Sequence, residues 1–328
     1  MKVRKTVVCM CVLLLLASGL CFAAGRQAAG PDPANYPTRT IRFIVNRGPG
    51  GGSDTMTRFV AASLERVLGC STVVVNMDGG DGVVGKNAVF AAAPDGYTLM
   101  VTAPTEIAHA IVNGHGVRFN ETGFTSIAGI NVRGSILAVR RGSEIRNIDD
   151  LIRISRQRPG SVTVGIPGGG NMQQALDLME ALDVTLTVVN AGSGGNLFAQ
   201  VLGGHIEMGL IGAQFYQRFI DEGLAVIAQT VEIREHGVPT VPTLVEMGYQ
   251  MVADNRMFLG GPANMPDNVV RVLSDAMDKL FVDPEFIEGI RKMGETPKFM
   301  NRAELAAYHT RFYAEQIPRL RAARAAAN

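Results

Sequence analysis

The sequence predicts an α/β protein with two lobes, and three observations carry that prediction. Strand-like and helix-like segments alternate along the chain, which is the pattern of α/β domains. Pro49-Gly50-Gly51-Gly52-Ser53 and Pro167-Gly168-Gly169-Gly170-Asn171 have nearly the same text, and each joins a strand to a helix. The chain has 328 residues, which is enough for two domains of ordinary size.

The first series of elements opens with a short apolar strand, Ile41–Val45. The apolar positions from Met56 to Leu68 recur at helical spacing, and Gly69 ends that helix. Apolar runs and turn residues then predict three further elements, which are a strand at Thr72–Val75, a helix at Lys86–Ala93 and a strand at Tyr97–Thr102.

A second series starts near Ile136–Val139. The same signals predict a helix at Ile148–Arg156, a strand at Val162–Gly165, a helix along Met172–Leu182, a strand at Thr185–Val189, a helix at Leu197–Leu202, and strands at Glu207–Ile211 and Leu224–Ala228. After a strand at Met257–Gly260 we expect helices at Asn268–Phe281, Pro284–Met293 and Arg302–Ala326, the last interrupted near Pro318.

The C-terminal helices are expected to pack on the first lobe. The chain would then cross between the lobes twice, near Ala138 and again near Val252–Arg256. Two crossings make a better defined hinge than one linker does.

The N-terminus is typical of a secretory signal peptide, residues 1–24, followed by a flexible lead-in at 25–35. Three basic residues precede the apolar run Val7–Leu16, which is short for a membrane span, and small residues follow it. An uncleaved anchor and a lipid anchor at Cys21 are alternatives, but the bulky Leu20 before Cys21 disfavours the lipid anchor.

Cysteine content indicates the compartment, and charge content limits the partners. Only Cys70 lies beyond the signal peptide, so no internal disulfide can form, and an exported protein without disulfides fits a bacterial periplasm. The net charge of +1 is spread evenly without a basic stripe, so we expect no nucleic-acid partner.

The segment Gly80–Asn87 resembles two nucleotide motifs and completes neither. A P-loop needs Ser or Thr after its lysine to ligate Mg²⁺, and that position is Asn87. The segment also fits G-x-G-x-x-G, but the next strand ends without the acid that holds a ribose. The histidines form no metal motif, and no G-x-S-x-G elbow occurs. We therefore expect no cofactor, no metal and no catalytic nucleophile.

The two proline-led glycine loops are stronger candidates for a site, and Asn190–Gly195 is a third loop of the same kind. Glycine lets bare N–H groups approach a ligand, and a helix N-terminus attracts anions. Ser53 and Asn171 are good N-cap residues. Because ligands bind beyond the carboxyl ends of strands in open α/β sheets, we expect these loops to hold a carboxylate.

Arg256 is a separate candidate beside the second crossing. An arginine can grip a carboxylate with two hydrogen bonds. A surface or interdomain salt bridge is an equally good explanation of its position.

Many short segments occur in a specific order and spacing: Tyr36-Pro37, Ile41–Val45, Pro49–Asp54, Val73–Asn76, Gly82–Gly85, Ala92–Leu99, Pro159-Gly160, Leu202–Glu207, Val238–Thr243 and Asp283-Pro284. In these segments the sequence resembles the solute-binding proteins of tripartite tricarboxylate transporters, also called the Bug family. The resemblance covers nearly all of the chain after the signal peptide.

The resemblance implies an α/β, two-lobed periplasmic binding protein fold of type II, with two interdomain crossings. We expect residues 36–138 plus 253–328 to form lobe 1 and residues 139–252 to form lobe 2. It also implies a monomeric periplasmic protein that is not an enzyme, captures a small organic acid and delivers it to membrane permease subunits.

The resemblance also supplies the expected ligand-binding residues, to which Arg256 is added from its position. They lie in four loops: Gly48, Pro49, Gly50, Gly51, Gly52, Ser53 and Asp54; Thr102, Ala103 and Thr105; Gly168, Gly169, Gly170 and Asn171; Asn190, Ala191, Gly192 and Ser193.

The chain departs from the family pattern in four places. Asn46 and Arg47 stand where the family often has an aromatic pair, and Asn190-Ala191 replaces a Tyr-Lys pair. Gly212 follows a strand after which an acid is common, and Asn255-Arg256 stands where Trp is common. We expect the grip on one carboxylate to be retained and the walls that select the rest of the ligand to be changed.

Two other functions stay open at this point. A sensor subunit would present its closed form to a receptor kinase. An enzyme acting on an organic acid would need a base in the cleft, for which Asp54 and Glu106 are the candidates. Neighbouring permease genes would separate transport from sensing, and turnover of a bound acid would support the enzyme.

Overall fold

The computed structural model describes residues 35–231, 234–235, 237–251 and 255–327. In chain order its strands are β1 (Ile41–Val45), β2 (Thr72–Asn76), β3 (Thr98–Thr102), β4 (Phe124–Arg133), β5 (Ser135–Arg140), β6 (Thr163–Ile166), β7 (Thr187–Asn190), β8 (Met208–Gly212), β9 (Leu224–Gln229), β10 (Asn255–Pro262) and β11 (Thr296–Met300).

In the same order its helices are α1 (Gly52–Leu68), α2 (Val83–Phe90), α3 (Pro104–Asn113), α4 (Ile148–Gln157), α5 (Met172–Leu182), α6 (Gly194–Leu202), α7 (Tyr216–Asp221), α8 (Asp267–Phe281), α9 (Pro284–Lys292) and α10 (Arg302–Ala327). Single 3₁₀ turns at Gly169–Asn171 and Ala213–Phe215 precede α5 and α7.

The strands form two sheets that are built alike. The first has the order β11-β4-β10-β3-β1-β2, and the second has the order β7-β6-β8-β5-β9. Three parallel strands, β2-β1-β3 in one sheet and β7-β6-β8 in the other, adjoin an antiparallel strand, β10 or β5. Because β1 and β6 hold equivalent central positions, the two similar glycine loops leave equivalent strand ends.

Apolar spacing explains how these elements pack. Ile41, Phe43 and Ile44 of β1 are buried in the first sheet, and α1 buries Met56 and Val60 against it at helical spacing. Helix α1 ends at Gly69, which has a φ of 65° as the sequence predicted for a helix stop. Helix α10 packs on α3 and β4, so the expected packing of the C-terminal helices on the first sheet is confirmed.

The chain changes sheet for the first time at Gly134, between β4 and β5. A Cβ built there would overlap Val231 and lie 2.7 Å from Glu235 Oε1, while the Gly134 N–H donates to that oxygen at 2.8 Å. Ala138 pairs with Gly209 and Val226 in the second sheet. The second change of sheet lies between β9 and β10. The exact limits expected for the two lobes stay predictions.

Most predicted elements are confirmed, with ends that shift by up to three residues. Four elements are additions that the sequence reading did not predict, namely α3, β4, α7 and β11. Helix α10 continues through Pro318, so the predicted interruption is wrong.

The two capping predictions have different outcomes. The prediction for Ser53 is wrong, because Gly51 is the N-cap of α1 and Ser53 lies inside the first turn. Asn171 is the N-cap of α5 as predicted, but its side chain makes no capping hydrogen bond.

The predicted signal peptide at 1–24, including Cys21, lies outside the described residues, as does the lead-in apart from Asn35. Among the helices that the structure describes, none combines the length and the apolar character that crossing a bilayer requires.

Candidate ligand-binding cleft

A cleft of about 870 Å³ lies where the glycine loops of the two sheets face each other. Its lining comes from the loops after β1, β2, β6, β7 and β8, together with residues of α3, β4, β5 and β10. Among the expected ligand-binding residues, those that line the cleft are Gly48, Pro49, Gly51, Gly52, Ser53, Gly168, Gly170, Asn171, Asn190, Gly192 and Ser193.

The first glycine loop is held from below by Asp54. Its carboxylate accepts hydrogen bonds from Gly50 N at 2.9 Å, Arg58 Nε at 3.0 Å and Asn76 Nδ2 at 2.8 Å. Burial raises the pKa of Asp54, but these donors outweigh it and leave that pKa below its ordinary value. Asp54 is therefore a support of the loop rather than part of the cleft lining.

The top of that loop presents donors to the cleft. Gly50 has a φ of 78°, which glycine adopts readily. Gly52 and Ser53 begin α1, and the amides of a first helical turn have no carbonyl partner within the helix. These amides and the positive end of the helix dipole suit an anion.

The second glycine loop packs on α3, which follows β3 of the other sheet. A Cβ on Gly169 would overlap the imidazole of His109, and one on Gly170 would lie 3.0 Å from Glu106 Cγ. One on Gly168 would lie 3.7 Å from Asp81 Oδ1. The loop therefore contacts the first lobe directly, and a side chain at 169 would require the imidazole of His109 to move.

The third loop is shaped by its own polar side chains. Asn190 Oδ1 accepts from Gly192 N at 2.9 Å, and Gly192 has a φ of 78°. Ser193 is the N-cap of α6, and its Oγ accepts from Asn196 N at 3.2 Å. Ala191 turns away from the cleft into the apolar core of the second sheet.

Charged side chains form a network on the first-lobe wall of the cleft. Arg47 makes a close ion pair with Asp81 and lies 3.8 Å from Glu106. The buried Lys86 is 3.4 Å from Glu106, and Asn46 Nδ2 donates to Glu106 at 2.6 Å. Burial raises the pKa of Glu106, but Arg47, Lys86 and Asn46 outweigh it and lower that pKa to about 2. Glu106 is therefore an ion-paired carboxylate.

Several expected ligand residues lie behind the cleft rather than in its lining. Thr102 and Ala103 are buried at the end of β3 and the start of α3. Thr105 is also buried, and its Oγ1 donates to Asn255 Oδ1 at 3.0 Å, so it supports a residue that does line the cleft.

Arg256 is not brought to the cleft. Its guanidinium lies 5.1 Å from the ring centroid of Tyr308, and its Nη1 is 3.3 Å from Met300 Sδ. Successive residues of a strand point to opposite faces of the sheet. Asn255 lines the cleft, so its neighbour Arg256 points to the other side.

Other lining residues were not among the expected ligand contacts. They include Asp78, Asp81, Glu106, His109, Arg133, Ser135, Ile211 and Phe215. The departures from the family pattern are a sequence signal for part of the cleft lining, because each of the four departures supplies a lining residue. These are Arg47, Asn190, Gly212 and Asn255.

Comparison with known proteins gives the same family over most of the chain. Residues 56–324 match the family described as tripartite tricarboxylate transporter family receptor. Protein BugT of Bordetella pertussis is 25% identical over 291 residues, which cover 87% of this chain and 89% of BugT.

Solved structures show the same fold at lower identity. Rpa4515 of R. palustris with adipate has a TM-score of 0.76 at 20% identity, covering 88% of this chain and 98% of that one. MatC of Rhodopseudomonas palustris with bound malate has a TM-score of 0.72 at 21% identity, covering 87% and 99%. This chain therefore has the two-lobed fold of periplasmic binding proteins and belongs to the tripartite tricarboxylate transporter receptor family.

Proposed function

We propose that this protein captures a small organic carboxylate between its lobes in the periplasm and delivers it to a tripartite tricarboxylate-type membrane permease. The observation that carries the proposal is the meeting of three strand-to-helix loops, after β1, β6 and β7, at one cleft. Each loop ends in a helical turn whose first amides lack carbonyl partners. Such amides bind a carboxylate without any dedicated cation.

The charges of the cleft favour this mode of binding. Arg47 is already paired with Asp81 and Glu106. It therefore adds little free positive charge to the first lip of the cleft, which is the glycine loop Gly48–Ser53. A carboxylate would instead be held by the backbone N–H groups of the loops. Contact with both the first lip and the second lip, which is the glycine loop Gly168–Asn171, would stabilise the closed arrangement.

Relatives support the ligand class. Structural neighbours hold adipate and malate, which are small organic acids, and the chain belongs to a receptor family. We propose lobe 1 at 36–138 plus 253–328, lobe 2 at 139–252, and export through the signal at 1–24. We further propose that the protein acts as a monomer.

A thermal-shift screen tests ligand capture. Adipate, malate, aromatic acids and acidic amino acids are added in turn, and calorimetry measures the affinity of each acid that raises the melting temperature. A ligand at a hundred times its dissociation constant adds about 2.7 kcal/mol to the free energy of unfolding. Failure of every acid to shift the transition would refute the proposal.

Gly51→Val tests the first lip. Gly51 has a φ of −81°, and the nearest atom to a built Cβ is Gly48 O at 3.9 Å, so the fold tolerates a side chain there. We expect at least a tenfold loss of affinity because the valine covers the amides of the lip. Gly195→Ala is the matched control, since a Cβ there meets nothing within 4 Å and Gly195 does not line the cleft.

Delivery and catalysis need separate measurements. Uptake of the identified acid into vesicles that contain a tripartite tricarboxylate-type permease from the same organism should depend on added protein. Chromatography of the acid after incubation with the protein should show no conversion. Conversion without uptake would favour the enzyme over the receptor.

A further inference from the structure

Arg133 and Asn255 lie side by side on the floor of the cleft. The antiparallel register of β4 and β10 pairs Asn255 directly with Arg133, and the next pair is Arg256 with Val132. Directly opposed residues in adjacent strands share one face of the sheet. Arg133 and Asn255 both line the cleft, and Arg256 lies on the opposite face against Tyr308.

The guanidinium of Arg133 is fixed in place by Glu295. Its Nε and Nη2 donate to Glu295 Oε1 at 3.1 and 2.5 Å. Glu295 is only 3% exposed, and its other oxygen accepts from Asn131 Nδ2. A side chain that is already ordered loses less conformational entropy when it binds a ligand.

This anchoring leaves donors directed at the cleft. Within the described part of the chain, no hydrogen bond uses Arg133 Nη1, and the side chain is 15% exposed. Asn255 Oδ1 accepts from Thr105 Oγ1, which leaves its Nδ2 hydrogens unused by the described residues.

The other cations in or beside the cleft are committed elsewhere. Arg47 is bonded to Asp81 and lies near Glu106, and the buried Lys86 lies 3.4 Å from Glu106. Of the two arginines that line the cleft, only Arg133 therefore combines a fixed position with remaining donors.

We propose that Arg133 Nη1 and Asn255 Nδ2 form a second anion subsite, which binds the distal carboxylate of a ligand whose first carboxylate is held by the glycine lips. This inference rests on the proposed function. Ile211 and Phe215 add apolar surface to the same cleft, which suits a carbon chain or ring between the two carboxylates. Arg133 is then the residue that selects dianions over monoanions.

Matched pairs of acids test the subsite. Calorimetry at pH 7 compares adipate with hexanoate, malate with 3-hydroxybutyrate, and terephthalate with benzoate. The wild type should bind the dianion of at least one pair ten times or more as tightly as its monoanion. Arg133→Gln should reduce that ratio to threefold or less while leaving monoanion affinity within threefold of wild type.

Arg256→Gln is the matched control, because it removes an arginine from the neighbouring strand on the opposite face. It should keep the dianion preference of the wild type. If Arg133→Gln does not fold because Glu295 is left buried without its cation, the double variant Arg133→Gln/Glu295→Gln replaces it and should show the same loss of preference.

The outcomes separate the two proposals. Equal affinity for both members of every pair, or a preference that survives Arg133→Gln, overturns the subsite and leaves carboxylate capture standing. Binding of none of the six acids, together with no response to any acid in the thermal-shift screen, overturns both. Gly51→Val should weaken the two members of a pair by the same factor, which Arg133→Gln should not do.

Discussion

Gly169 of the second lobe packs against the imidazole of His109 in the first lobe. A Cβ built on Gly169 would overlap three atoms of that ring. Gly169 follows β6 and His109 lies in α3, so the contact joins the two sheets at the edge of the cleft. The absence of a side chain at 169 is therefore a condition of this contact between the lobes.

Gly169→Ala should weaken ligand binding by about tenfold or more. The added methyl cannot fit unless the imidazole moves or the lobes separate, and separation removes the contacts that stabilise the bound form. Calorimetry with the acid identified by thermal shift measures the affinity. The radius of gyration from X-ray scattering should also exceed that of the wild type in saturating ligand.

The double variant Gly169→Ala/His109→Ala is the control for this prediction. Removing the ring makes room for the methyl, so affinity should recover toward that of His109→Ala alone. A double-mutant cycle reports this as a coupling energy of about 1 kcal/mol or more. Additive losses would show that the two residues do not act through the contact.

Gly82→Ala should lower the free energy of unfolding by about 2 kcal/mol or more. Gly82 has a φ of 84°, and a built Cβ would lie 2.6 Å from Asn46 Nδ2 and 2.7 Å from Lys86 Nζ. Strain at positive φ and the clash with buried polar groups add together.

Gly116→Ala separates these two costs, because Gly116 has a φ of 71° with nothing within 4 Å of a built Cβ. It should cost about 1 kcal/mol through backbone strain alone. Urea unfolding of both variants gives the comparison. Equal losses would mean that the close approach to Asn46 contributes nothing.

The sequence predicts the elements whose apolar spacing is regular and whose ends carry turn residues. It misses β11 because Pro297 argues against a strand, although an edge strand of the sheet tolerates proline. It misses β4 because its alanine and glycine positions form a strand only when long-range pairing with β10 and β11 is known. Helix α3 does carry a local signal in the sequence, since Pro104 occupies its first turn.

The site residues divide in the same way, into those that have a local signal in the sequence and those that depend on pairing between distant strands. The glycine loops carry their own local signal, and members of all three line the cleft. Its position beside the crossing makes Arg256 a candidate, but that position does not say which face of β10 the side chain occupies. Once β10 is known to begin at Asn255, alternation places Asn255 in the cleft and Arg256 outside it. The role of Arg133 depends on pairing across strands that are distant in the sequence.

Glu106 should make the protein sensitive to acid below pH 4.5. Its pKa is lowered to about 2 in the folded protein, against 4.5 as the ordinary value. The unfolded chain therefore takes up a proton first as the pH falls, so the stabilisation is complete above 4.5 and is lost toward pH 2. The loss is about 3 kcal/mol. Unfolding free energies of the ligand-free protein at pH 5, 4, 3 and 2 measure it.

Glu106→Gln should remove this dependence and should be less stable than wild type at pH 7, because Lys86 loses its carboxylate while buried. Glu106→Gln/Lys86→Met should regain part of that stability. If Glu106→Gln and the wild type lose stability in parallel between pH 4.5 and 2, the low pKa of Glu106 is wrong.

His309 should produce a second, separate pH dependence, between pH 6.5 and 4. It is buried in α10 with Nδ1 2.8 Å from Ser126 Oγ and its ring 4.4 Å from that of Phe258. Burial lowers its pKa from 6.5 to about 4, so the unfolded chain binds the proton first. The stabilisation is therefore complete above pH 6.5 and falls by about 3 kcal/mol by pH 4.

His309→Gln removes this titration, and the lowered pKa of His109 contributes equally to both proteins. The difference in unfolding free energy between wild type and His309→Gln should thus be constant from pH 8 to 7 and should shrink steadily from 6.5 to 4. This window overlaps that of Glu106 only between pH 4.5 and 4, so one pH series on the two variants assigns each loss to its residue. A constant difference across the whole range would mean that His309 takes up its proton as readily in the folded protein as in the unfolded chain.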